Sequence, residues 1–197
     1  MQHFILSNPK NDASYSIVMK EQEFIIRPTI ISDAEAIARI NIDSWRETYS
    51  GLIAPETLDA MTDEEYNAKW KRILDPTNSV NGFRFVAEID STIVGYVGAG
   101  VPRDESLGYE GELYALYLLK RYHGKGIGKG LFLQAVREFK NWNINSFHLY
   151  VLKANAIGRA FYDKFAPDEI TAAEIKINEN MYCDMCYGWR SVDKILT

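Results

Sequence analysis

Leu116–Leu131 reads LYLLKRYHGKGIGKGL, and the fold turns on this segment. The apolar run LYLL ends at Lys120-Arg121, after which Gly124, Gly126, Gly128 and Gly130 alternate with Lys125, Ile127 and Lys129. Ile127, Leu131, Ala135 and Phe139 then recur at helical spacing. A strand therefore feeds a glycine-rich turn at 124–130, and the turn opens a helix that runs to about Asn141. Such a turn lets backbone N–H groups converge without side-chain obstruction. The start of the helix adds unpaired donors and partial positive charge. Together they form a cradle for phosphate, with Lys125 and Lys129 adding charge at its rim. Two common phosphate templates fail, however. The P-loop G-x-x-x-x-G-K-[S/T] and the dinucleotide pattern G-x-G-x-x-G both need glycine where Lys129 or Leu131 stands.

Outward from this segment the elements read in order. Phe24–Arg27 is a short strand stopped by Pro28. Ser32 and Glu35 form an S-x-x-E capping box for a helix with Ile37, Asn41, Trp45 and Thr48 along one side. Gly51 and Pro55 break the chain, and a second box, Thr62 with Glu65, opens a helix through Trp70 to about Leu74. Phe83–Ile89 and Thr92–Val101 alternate as two strands around Asp90-Ser91, a hairpin signal. Glu112–Leu119 is a strand, Phe147–Leu152 another, Ala156–Phe165 a helix, and Ile170–Ile177 with Tyr182–Trp189 a closing hairpin. The hairpins make part of the sheet antiparallel, whereas the strand–helix–strand unit over 112–152 needs a parallel crossover. The expected fold is α/β: a mixed, mostly antiparallel central sheet with one parallel strand–helix–strand unit and helices on both faces. It occupies residues 23–190 as a single domain. Residues 1–22 are an extension of unassigned role, and 191–197 a tail.

The 197 residues suit one domain. At 47% hydrophobic and 25% charged, the chain has an ordinary globular composition with enough apolar material for a core. No stretch approaches the ~18 apolar residues of a membrane span, and the N-terminus has no basic start, apolar run or cleavage site. A cytoplasmic protein without a membrane partner is expected. A net charge of −5 without a basic block speaks against nucleic acid; it would suit a cationic substrate, although a solvated surface explains it equally well. The two cysteines, Cys183 and Cys186, are spaced CDMC on a strand pattern. Residues three apart on a strand point to opposite faces, which spoils both a redox pair and half a zinc site. No metal is expected.

The glycine segment resembles the acetyl-CoA signature of the GNAT N-acetyltransferase superfamily, Q/R-x-x-G-x-G/A between a strand and a helix. Here it falls on His123-Gly124-Lys125-Gly126-Ile127-Gly128, with Lys129 following. Arg121-x-x-Gly124-x-Gly126 also fits the bare pattern, but the later register starts the helix at Ile127 and Leu131 as in the family. Histidine thus stands where the family has glutamine or arginine. SWRETYSGL (44–52) resembles the family's first-helix segment. VLKANAIGRAFYDKF (151–165) resembles its second cofactor motif, with Asn155 and Tyr162 on the matching positions. Phe165-Ala166-Pro167 replaces the Gly-Phe that usually follows. The resemblance covers roughly 23–190 and implies acetyl-CoA as cosubstrate, with main-chain contacts at Leu116 and Leu118 on the central strand. It also suggests a homodimer, for which the residues carry no signal of their own.

Acetyl transfer to an amine needs three services. An alkyl ammonium of pKa near 10.4 is only ~0.1% deprotonated at about pH 7.4, so the site must remove a proton. The developing oxyanion needs a donor, for which the family implies the backbone N–H near Leu118. The departing thiolate needs a proton, which a tyrosine hydroxyl can supply, and Tyr162 is the candidate acid. Asn155 and Tyr162 lie two helical turns apart on one face, with Gly158 leaving a gap suited to a slender pantetheine arm. Asn155 can equally be the helix cap. For the base, a regular strand would put Glu112 on the same face as Tyr114, Leu116 and Leu118; a bulge would change that parity, and ordered water is the alternative. Trp45, Arg46 and Tyr49 are candidates for the acceptor pocket. The acceptor is a primary amine of a small molecule, of polyamine or amino-sugar type, or else of a peptide. A non-catalytic acyl-CoA-binding module is the remaining alternative.

Overall fold

The computed structural model describes residues 23–78 and 81–197; the expected extension at 1–22 lies outside them. Among the described residues, the strands are β1 (Ile25–Pro28), β2 (Gly82–Ile89), β3 (Thr92–Gly100), β4 (Gly111–Leu118), β5 (Phe147–Leu152), β6 (Glu169–Ile177) and β7 (Asn180–Trp189). The helices are α1 (Ala34–Tyr49), α2 (Pro55–Asp59), α3 (Asp63–Leu74), α4 (Ile127–Asn141), α5 (Ala156–Tyr162) and α6 (Asp193–Leu196). Asp90 and Ser91 turn the β2–β3 hairpin with φ of 46° and 62°, the left-handed pair that matches strand twist in a two-residue loop. The strands form one sheet in the order β1-β2-β3-β4-β5-β7-β6. Every neighbouring pair is antiparallel except β4–β5, whose crossover is α4. The expected mixed sheet is therefore present.

Both faces are covered. On one, Leu131, Phe132, Val136 and Phe139 of α4 pack against Phe147, Tyr187 and Trp189, and the Phe147 and Trp189 rings stack with centroids 4.9 Å apart. On the other, Ile37 and Ile40 of α1 and Trp70 of α3 close over Val86 and Tyr96. No helix among the described residues is long and apolar enough to cross a membrane.

The structure departs from the sequence reading at identifiable places. Ser32 and Glu35 do not box the first helix. A 3-10 turn, Ile31–Asp33, precedes α1, and its Asp33 accepts from the Ile30 N–H at 2.9 Å while pairing with Arg27. The second box is half made, Thr62 Oγ1 accepting from Glu65 N at 3.3 Å. The segment broken by Gly51 and Pro55 holds α2, with proline at its start where a missing N–H does no harm. The tail carries α6. Cys183 is exposed and Cys186 buried, on opposite faces as strand geometry requires.

Two irregularities disturb the sheet at β4. The register between β3 and β4 shifts at Gly98/Ala99, leaving Tyr114 without a partner, a β-bulge. Before it, Leu113 faces the α4 core; after it, Leu116 and Leu118 do. The bulge thus swaps the parity of β4. In addition, β4 and β5 pair only at Gly111↔Phe147 and Glu112↔His148, then part.

Candidate active site

The parting of β4 from β5 opens a cleft of about 1330 Å³, above the ~300–1,000 Å³ of pockets for drug-sized ligands. One wall is β4. Leu119 N donates to Val94 O on β3 at 3.1 Å. N–H directions alternate along a strand paired on one side, so Leu116 and Leu118 present theirs to the open edge where β5 has left. These are donors waiting for an acceptor in the cleft.

The glycine turn closes one end. Gly124 and Gly126 adopt φ of 76° and 80°, and a Cβ on either would meet nothing within 4 Å. What demands glycine is the left-handed backbone together with the open space above the main chain, where an anion approaches donors. Gly126 caps α4, so the helix start points into the same space. His123 Nε2 meets Leu118 O at 2.9 Å, pinning the turn to the end of β4. The imidazole at the family's Gln/Arg position therefore serves the turn's geometry.

The opposite wall is α5. Asn155 caps it, Oδ1 accepting from Gly158 N at 2.8 Å, and it also lines the cleft; the two roles coexist. Tyr162 is 8% exposed, and its ring is held by Phe132, Phe161 and Tyr187 at centroid distances of 6.0, 5.1 and 6.0 Å. Burial raises its phenol well above the ordinary value. After α5, Ala166 takes φ 46°, the left-handed conformation that glycine adopts without strain, so the chain turns there as a Gly-Phe would.

The cleft brings together Leu116, Leu118, His123, Gly124, Gly126, Gly128, Lys129, Tyr49, Asn155 and Tyr162. It does not bring in the other candidates. The Ile127 side chain is core, and Lys125 lies near the Tyr122 ring at 5.2 Å, so these two contribute main chain to the turn. Trp45 stands behind Tyr49, donating from Nε1 to Tyr117 Oη at 2.8 Å. Arg46, a further 100° round the helix, donates to Met61 O at 3.0 Å, away from the cleft. Glu112 does not share a face with Leu116 and Leu118, because the bulge lies between them. It is 2% exposed and ion-paired with Arg103, and it also accepts from the Arg103 N–H at 2.9 Å. Among the described residues no His/Cys/Asp/Glu group is placed to hold a metal.

Three further residues escape the sequence reading. Tyr117 and Tyr150 line the cleft, and Asp184 lies beside it on β7. Asp184 is 5% exposed, opposite Leu152, and burial pushes its carboxyl up from 3.8 to about 6. A carboxylate inside the strand CDMC was the available signal, overshadowed by the cysteines. The native state binds this proton more tightly than the unfolded chain, so stability falls as pH rises between about 4 and 6. The cost above that window is about 3 kcal/mol. Asp184→Asn should therefore melt above the parent at pH 8, by up to that amount, with the gap closing near pH 4. Melting curves at both pH values check it.

The model of the Acetyltransferase (GNAT) family matches residues 37–166. The sequence is 26% identical over 172 residues to an uncharacterized N-acetyltransferase, YuaI, of Bacillus subtilis, covering 87% of this chain and 96% of that one. It is 30% identical over 141 residues to a spermidine N(1)-acetyltransferase of Thermoplasma acidophilum, covering 71% and 84%. The crystal structure of the PaiA N-acetyltransferase of the same organism, in complex with coenzyme A, superposes with a TM-score of 0.67 at 26% identity, covering 85% and 99%.

Proposed function

This chain belongs to the acetyltransferase (GNAT) family, and we propose that it acetylates a primary amine of a small molecule, of polyamine or amino-sugar type. It is an N-acetyltransferase that depends on acetyl-CoA. The observation that carries the finer reading is the cleft between β4 and β5, with free N–H groups on one wall and the Tyr162 hydroxyl on the other. Its glycine turn suits a diphosphate, and its volume of about 1330 Å³ suits a coenzyme. The likeness to a spermidine acetyltransferase and the net charge of −5 support a cationic acceptor.

Acetyl-CoA supplies an activated acetyl group as a thioester. The chain's residues do the rest. Main-chain donors of 123–129 hold the diphosphate, and the N–H groups of Leu116 and Leu118 receive the carbonyl oxygen as it gains charge. Tyr162 donates to the sulphur as the C–S bond breaks. Glu112 is engaged by Arg103, so the ammonium proton leaves through water in the open cleft.

The test is thiol release from acetyl-CoA across polyamines, amino sugars and peptides. Turnover of peptides alone would overturn the small-molecule reading. Coenzyme binding without any turnover would make the chain a binding module. The cradle has its own check. Gly126→Val puts a β-branched residue at φ 80° and covers the turn's donors. Loss of one charge-assisted hydrogen bond weakens coenzyme A binding by about 10–150-fold, read by calorimetry. Unchanged affinity would move the diphosphate elsewhere.

A further inference from the structure

Asp184 is a buried carboxylate that no side chain answers. Among the described residues no ion pair or hydrogen bond reaches its carboxylate oxygens. A buried charge without a partner is costly and is kept where something else supplies the partner. Its position narrows what that is. The side chain of Asp184 lies on the sheet face shared by Tyr150 and Leu152 of β5, because residues opposite each other in an antiparallel pair point the same way. Leu152 belongs to a buried cluster against which Tyr49 and Tyr182 pack. Tyr49, from the end of α1, and Tyr150 both line the cleft. The two phenols register the carboxylate: each is raised chiefly by burial, with the negative charge of Asp184 among the further causes. Among the described residues, the groups that sense the charge of Asp184 are Tyr49, Tyr150 and Cys186, none of them a cation.

We propose that Asp184 is the carboxylate on which the acceptor's ammonium docks, reached between Tyr49 and Tyr150, so that slender alkyl polyamines are selected over amino sugars and aryl amines. This docking role rests on the reading of the chain as an amine acetyltransferase. Two features give the selectivity. Tyr49 and Tyr150 line the cleft, whereas Asp184, 5% exposed, is set back from that lining, an approach that suits a slender alkyl ammonium better than a pyranose ring. The phenol faces add cation–π attraction along the way. Glu47, the acidic side chain that lines the cleft, already accepts from Lys120 N at 3.0 Å and is exposed; it steers rather than anchors.

The experiment is calorimetry of spermidine binding to the enzyme–coenzyme A complex, for the parent and Asp184→Asn, with acetylation kinetics in parallel. The amide preserves the shape of the carboxylate and removes its charge. Spermidine affinity should fall by about 30-fold or more, the loss expected when one partner of a buried charge pair is removed. Coenzyme A affinity should stay within about twofold, which also certifies the fold. In turnover the effect should lie in KM for spermidine and leave kcat nearly unchanged, while the parent's spermidine KM rises as pH falls below about 6 and the variant's does not. Equal spermidine affinity in the two proteins, or no spermidine binding to the parent, overturns the anchor. A loss confined to kcat would also overturn it, making Asp184 a proton acceptor. Absence of turnover with any amine, coenzyme affinity being intact, would instead sink the acetyltransferase reading and leave the anchor to the binding data.

Discussion

Tyr162→Phe should lower kcat by about 10²–10⁴-fold, the usual contribution of a positioned general acid, and leave coenzyme A affinity nearly unchanged. Packing is indifferent to the change. The ring sits among Phe132, Phe161 and Tyr187, and phenylalanine keeps every one of those contacts, so the fold survives. What is lost is one hydroxyl, and among the described residues no protein group hydrogen-bonds to it. Burial keeps that hydroxyl protonated at any working pH, so it is always ready to donate. As the C–S bond breaks the hydroxyl passes its proton to the sulphur, and solvent then returns a proton to the phenolate. An intact variant with the parent's rate would remove Tyr162 from the chemistry. A variant that lost coenzyme binding instead would make its role structural.

The turn and its helix are legible because glycine spacing and a 3.6-residue period are local signals, and they imply the one parallel crossover of the sheet. Asn155 and Tyr162 could be paired for the same reason, being two turns apart on one short helix. What escaped was set by contacts between distant segments. The parity of β4 depends on a bulge at Tyr114 that only its pairing with Gly98 and Ala99 on β3 determines; nothing in GELYALYL announces it. That single inserted residue moved Glu112 off the face where a regular strand would have put it. Arg46 and Trp45 shared a motif with Tyr49, yet helical phase sends their polar atoms to Met61 O and Tyr117 Oη. Asp184 was hidden differently. Its meaning lies in having no partner, and a sequence records residues but not the absence of neighbours.

Arg103→Ala should destabilise the protein by about 3–5 kcal/mol, the cost of leaving one member of a buried pair uncompensated. The asymmetry of the pair makes arginine the sensitive side. Its side chain is 68% exposed, whereas that of Glu112 is 2% exposed. Removing the arginine side chain leaves the buried carboxylate without its counter-ion, with the backbone N–H at position 103 as its remaining donor. Its neighbour in register is His148, an imidazole fully buried and held toward its neutral form chiefly by burial, so it offers no replacement charge. Adding Glu112→Gln to Arg103→Ala should recover most of the loss, because an amide needs no counter-ion. A double-mutant cycle by urea unfolding reads the coupling, and additive effects would refute it. The pair also stands at the last point where β4 and β5 remain joined, Gly111↔Phe147 and Glu112↔His148, so it sets where the cleft begins. Loosening it should widen the wedge and raise KM for acetyl-CoA along with the loss of stability. Glu112→Gln alone distinguishes a clasp from a base: a clasp loses stability and coenzyme affinity together, whereas a base would lose kcat by about 10²-fold or more with stability unchanged.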